Sequence, residues 1–187
     1  MKRNQYTLGK PISFKGNGLH SGIPVTITMR PAPAGSGIIF RRIDLTGAPE
    51  VPAKSEFVTN TLRATTLERG GAKVFTVEHI LSALFALRID NCILEMDAPE
   101  PPVADGGALT FSQMILEAGI MELEEQTDIL TLETSVAVYE DNKFITALPY
   151  DGLRITFTSI NPHPLLGTQM KDFTIDKETY LSLIHIS

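Results

Sequence analysis

An α+β fold, built as two-layer units of a largely antiparallel sheet with helices on one face, is predicted by three observations. From Gln5 to Leu67 the chain is strand-like, with apolar and polar side chains alternating between turns. Helical spacing takes over from Thr76 to Leu87 and again after Asp105. Strand patterns then return from Val136. Strands, helices and strands again imply two such units in succession.

In order, Val25-Thr26-Ile27-Thr28-Met29 alternates cleanly, Gly37-Ile38-Ile39-Phe40 follows a turn, and the threonine-rich run Thr61 to Leu67 reads as a further strand. Val77, Leu81, Leu84 and Phe85 share one face of a helix ending near Leu87. Ile89-Asp90-Asn91 leads into a strand through Met96, and Ala98-Pro99-Glu100-Pro101-Pro102 is a loop. Asp105 suits the cap of a second helix, with Leu109, Met114, Ile115 and Ala118 near its apolar side and Gly119 as its stop. Glu122 to Asp128 reads as a linker. Strands are expected at 136–139, 144–148 and 153–157, and a helix opens at Asp176. The expected units are residues 1–127 and 128–187. The second holds a sheet whose apolar face lacks a helix layer, so the sequence is expected to be incomplete at its C-terminus.

The 187 residues are 43% hydrophobic and 20% charged, the balance of an ordinary globular protein rather than a disordered one. A net charge of −6 argues against sequence-independent nucleic-acid binding. The longest apolar stretch, Ile80 to Leu87, is too short to span a bilayer, and Met1 to Leu8 lacks the apolar core of a signal peptide. A cytoplasmic monomer is expected. Cys92 stands alone, which excludes internal disulfides, and its setting reads as that of a small apolar strand residue.

The chemistry points to Glu78-His79, a carboxylate beside an imidazole at an apparent helix start. Adjacent helical side chains diverge by about 100°, so the imidazole can hold a metal while the carboxylate reaches water bound to it. Glu is also favoured in a first helical turn for electrostatic reasons alone. The usual metalloprotease helix carries two histidines four apart, whereas Ala83 stands four after His79. One ligand does not make a zinc site, so its partners must come from elsewhere in the fold.

Several separated strings then converge. They are Gly16-Asn17-Gly18-Leu19-His20-Ser21-Gly22, Arg30-Pro31-Ala32-Pro33, Arg41-Arg42-Ile43-Asp44-Leu45, Thr76 to Leu84, Ile89-Asp90-Asn91, and Pro99 to Ala108. In this order, over residues 5 to 181, the chain resembles the N-terminal part of the zinc-dependent UDP-3-O-acyl-N-acetylglucosamine deacetylases of lipid A biosynthesis. The glycines of the first string do not make a dinucleotide-binding fingerprint, because their spacing is wrong and they sit between strands.

The resemblance implies hydrolysis of the N-acetyl amide of a UDP-linked, 3-O-acylated glucosamine, a committed step toward lipid A. It implies His79 as the first zinc ligand and Glu78 as general base on metal-bound water, whose pKa zinc lowers toward about 7. His20, Leu62 and Arg63 match positions bordering the substrate cleft. Asp105 matches a family aspartate that helix capping also explains, and His163 reads as a rigid loop residue. Gly107 departs from the family's usual serine. After Ser182 the chain reads Leu183-Ile184-His185-Ile186-Ser187, an unmatched tail. The remaining zinc ligands, a His and an Asp four apart, are expected beyond the end of this chain, which by itself is then an inactive fragment. A noncatalytic nucleotide-sugar-binding or regulatory module is the alternative reading.

Overall fold

The structure, a computed structural model, describes residues 2–186. Its first part is built on a five-stranded sheet of order β2-β3-β9-β4-β5, made of β2 (Ile12–Asn17), β3 (Pro24–Pro31), β9 (Cys92–Met96), β4 (Ile38–Arg42) and β5 (Glu50–Pro52). Only the β4–β9 pairing is parallel. A smaller antiparallel sheet joins β6 (Val58–Asn60), β7 (Thr66–Arg69) and β8 (Ala72–Phe75). Helices α1 (Glu78–Ala86) and α2 (Leu109–Ala118) pack against one another and on this framework.

Alternation in the sequence becomes the two faces of the large sheet. Val25, Ile27 and Met29 of β3 and Cys92, Leu94 and Met96 of β9 are buried. All but Val25 belong to one core with Phe40, Ile80, Leu84, Phe111 and Ile115. On the exposed face Arg41 lies in register with Glu50 and with Glu95, bonding Glu50 Oε1 at 2.6 Å and Glu95 Oε1 at 3.0 Å, while Arg30 also pairs with Glu95. Opposite charges facing one another across strands contribute roughly 0.2–1 kcal/mol each.

Two of the matched strings turn out to be structural fasteners. Arg42 grips Asp44 with two bonds of 2.8 and 2.7 Å and donates to the Lys73 carbonyl at 2.6 Å, tying the large sheet to β8. Asp90 receives both Arg3 nitrogens at 2.7 Å and the Tyr6 amide at 2.8 Å, and Asn91 bonds the Gly37 amide at 3.0 Å.

The structure departs from expectation at several places. Residues 122–128 are not a linker but most of β10 (Ile120–Asp128), which pairs antiparallel with β1 (Lys2–Leu8) from Leu8–Ile120 to Lys2–Asp128. The polar sequence hides a strand because its ladder comes from a partner more than a hundred residues away. The run 61–67 is a strand only at its last two residues; 61–65 form a loop in which Arg63 has φ 64°. Phe85 is 69% exposed, and Ile80 and Ala83 take the buried positions on α1 instead.

The later strands form two separate antiparallel hairpins, β11 (Val136–Glu140) with β12 (Lys143–Ala147) and β13 (Arg154–Ile160) with β14 (Thr168–Thr174), rather than one sheet. Val138, Tyr139, Phe144, Ile145, Phe157 and Ile160 lie exposed on them. Helix α3 (Lys177–Ile186) is capped by Asp176, whose Oδ1 accepts the Thr179 amide at 2.8 Å. Tyr180, Leu181 and Ile184 of α3 pack against the first core, and the Tyr180 hydroxyl lies 3.0 Å from Ser82 Oγ on α1.

Candidate active site

The site is built where β8 ends and α1 begins. Between them Thr76 takes φ 57°, a left-handed conformation that β-branched residues avoid and that costs about 1–3 kcal/mol. It turns the chain so that Glu78 and His79 open the helix. Glu78 stands exposed in the first turn, where its charge suits the helix dipole, and its Oε1 accepts the amide of Thr65. His79 is half-buried, lining a narrow cleft with Leu19, Thr76, Pro101, Pro102, Val103 and Phe111.

Loops from three parts of the chain meet here. The turn 18–22 between β2 and β3 is closed by the Gly18 amide on the Ile23 carbonyl at 2.9 Å and the Gly22 amide on the Gly18 carbonyl at 3.1 Å. Pro102 bridges to Gly18, and the Val103 amide bonds the Asn17 carbonyl at 2.8 Å. Phe75 donates to the Pro99 carbonyl at 3.0 Å.

Sequence reasoning missed the residue at the centre of this junction. Glu100, in what reads as a polar loop between prolines, is 1% exposed. Its carboxylate accepts the His20 amide at 3.0 Å, the Ser21 amide at 2.8 Å and the Thr76 hydroxyl at 2.8 Å. Burial by itself pushes the Glu100 carboxyl up, but the donors from His20, Ser21 and Thr76 outweigh it and hold the group below the usual glutamate range. Gly18 is required by this packing, since a Cβ there would collide with Ser21 Oγ and Glu100 Oε2.

The other predicted residues fall as follows. His20 sits on the 18–22 turn, its amide bound by Glu100 and its residue exposed, next to the Leu19 that lines the His79 cleft. Leu62, 80% exposed, and Arg63 lie on the loop that ends in the Thr65 amide bonded to Glu78. Asp105 Oδ1 accepts the Thr110 amide at 3.1 Å, capping the start of α2 from a turn upstream. His163 holds its own loop, its Nδ1 accepting the Leu165 amide at 3.2 Å. Gly107 has room bounded by Asp105 Oδ2, 3.2 Å from where a Cβ would stand.

Among the described residues no three His, Cys, Asp or Glu side chains are grouped closely enough to hold a metal ion. His79 with Glu78 is therefore not a complete zinc centre, for which three protein ligands are needed at a catalytic site. The pair does offer an imidazole facing a cleft and an exposed carboxylate one residue away, the elements of a hydrolytic site in which a base takes a proton from water.

Comparison with known proteins gives the family. The model of the UDP-3-O-acyl N-acetylglycosamine deacetylase (LpxC) family matches residues 5–187. The chain belongs to that family. It is 43% identical over 178 residues to a bifunctional LpxC/FabZ enzyme of Chlorobaculum tepidum, covering 94% of this chain and 38% of that protein. It is similar to UDP-3-O-acyl-N-acetylglucosamine deacetylases of Anaeromyxobacter dehalogenans, at 43% identity over 89% of this chain and 53% of the relative, and of Legionella pneumophila, at 42% over 92% and 57%. The chain thus spans little more than half the length of these two deacetylases.

Proposed function

We propose that residues 1–187 carry one part of the active site of a zinc-dependent UDP-3-O-acyl-N-acetylglucosamine deacetylase, acting in the cytoplasm in lipid A biosynthesis. Glu78 is the general base and His79 the metal ligand this chain supplies, the remaining ligands being provided from outside these residues. The observation that carries the reading is the placement of the pair: Glu78 exposed and hydrogen-bonded to the Thr65 amide, His79 facing the cleft beside the 18–22 turn. In the net reaction water adds to the acetamide carbonyl, the C–N bond breaks, acetate leaves and the sugar keeps a free amine. Glu78 accepts the proton that the attacking water loses. The flanking loops carrying His20, Leu62 and Arg63 border the substrate. No described helix is long and apolar enough to cross a membrane.

The test is acetate release from UDP-3-O-acyl-N-acetylglucosamine by an active deacetylase that contains residues 1–187 within a longer chain. Glu78→Gln lowers kcat by about 10²–10⁴-fold while bound zinc is retained, the range for loss of a general base. His79→Ala loses both zinc and turnover. Unchanged kcat in Glu78→Gln would falsify the assignment.

A further inference from the structure

We propose that Glu100 is a positioning residue for the Glu78-His79 pair: its buried carboxylate clips the 18–22 turn to Thr76 and so fixes the backbone from which α1 starts. This rests on the reading of Glu78 and His79 as base and ligand, and adds to it a residue that touches neither water nor substrate.

The mechanical link is continuous. Glu100 Oε1 accepts the Thr76 hydroxyl, and the Thr76 amide donates to the Thr65 carbonyl at 3.1 Å. The amide of that same Thr65 donates to Glu78. Thr76 stands two residues before Glu78 and holds φ 57°, an unfavourable conformation that persists only where its surroundings impose it. On its other side Glu100 holds the amides of His20 and Ser21, setting Leu19 against the His79 cleft.

The choice of a carboxylate follows from its hydrogen-bonding capacity. Three donors, two from one segment and one from another, converge on two acceptor oxygens. A glutamine of the same size would turn an NH2 group toward some of those donors. Among the described residues no cation pairs with Glu100 in an ion pair, so neutral donors, the Ser21 side chain included, compensate the buried charge. Gly18 leaves the space the carboxylate occupies.

The experiment is solution NMR on the 187-residue chain, comparing wild type with Glu100→Gln and following the amides of His20, Ser21 and Thr65, the His79 ring signals, and the amides of β3 and β9. We expect the Thr65 amide and the His79 ring to shift, and Thr65 hydrogen exchange to speed up about tenfold or more, with β3 and β9 unchanged. Thr76→Gly, which takes positive φ without strain, then moves the Thr65 signal of Glu100→Gln back toward wild type. Should Glu100→Gln not fold, Thr76→Val must shift Thr65 and the His79 ring while Thr76→Ser leaves them in place. The clip is overturned if Thr65 and His79 stay at their wild-type positions while only His20 and Ser21 move, or if the glycine brings no recovery. It is also overturned if Thr76→Val behaves as wild type. In an active longer deacetylase, Glu100→Gln lowers kcat with KM nearly constant. Loss of turnover in Glu78→Gln with unmoved Thr65 and His79 signals in Glu100→Gln sinks the clip and keeps the catalytic reading. Moved signals with full turnover in Glu78→Gln do the reverse.

Discussion

Glu100 also makes the fold sensitive to acid. Its carboxyl lies below the ordinary glutamate value in the folded chain, so the ionised form is the one the fold favours. Its contribution is complete above the unfolded value of about 4.3 and is lost as pH falls through the lower folded value. Asp44, lowered by Arg42, and Glu95, raised by burial but lowered further by Arg30 and Arg41, act with the same sign. Stability measured by urea unfolding is therefore expected to fall from about pH 4.3 downward, and to fall less steeply in Glu100→Gln. An equally steep loss in that variant would show that the other carboxylates account for it. Cys92 behaves oppositely: burial pushes its thiol up to about 12. It is 0% exposed, so the native chain is expected to resist thiol-modifying reagents that label it fully once unfolded. The Glu78-His79 pair was legible from the sequence because its two residues are contiguous and both chemical. Glu100 was not, because its role exists only after residues 18–21, 76 and 100 have been brought together.

At the scale of elements, local pattern was enough wherever burial follows the period of the element. The strand around Val25 to Met29 and the helix after Val77 were readable for that reason. β10 was hidden because its sequence is polar and its pairing with β1 is long-range. The face of α1 was misjudged at Phe85, where helical spacing admits two neighbouring stripes and only the tertiary packing selects Ile80, Ala83 and Leu84. Two substitutions separate the stripes. Ile80→Ala, which opens a hole in the core, is expected to cost about 2–5 kcal/mol, whereas Phe85→Ser should stay within about 0.5 kcal/mol. Chemical denaturation of both variants checks this, and a larger loss at Phe85 would mean that it is covered in solution.

Across the whole molecule, stability is unevenly distributed. The first part buries a continuous core of aliphatic and aromatic side chains from both sheets and α1 and α2. The hairpins β11–β12 and β13–β14 carry apolar residues in the open, and isolated two-stranded hairpins are marginal in water. Hydrogen exchange is expected to be fast over 136–174 and slow in β3, β9 and α1, with local opening far easier than global unfolding. Comparable protection in both regions would show the hairpins to be packed in solution. At the candidate site the described residues supply one imidazole lining the cleft, an exposed carboxylate next to it in the chain, and no metal-binding group of three.

The central claim is that this chain contributes the base and a single metal ligand to a deacetylase whose site needs more. Zinc content and acetate release, measured on the purified 187-residue chain beside a longer deacetylase containing it, test that most directly. The account predicts stoichiometric zinc and turnover in the longer protein and neither in the 187-residue chain. Stoichiometric zinc with turnover in the 187-residue chain would contradict it, because a complete ligand set would then lie within these residues.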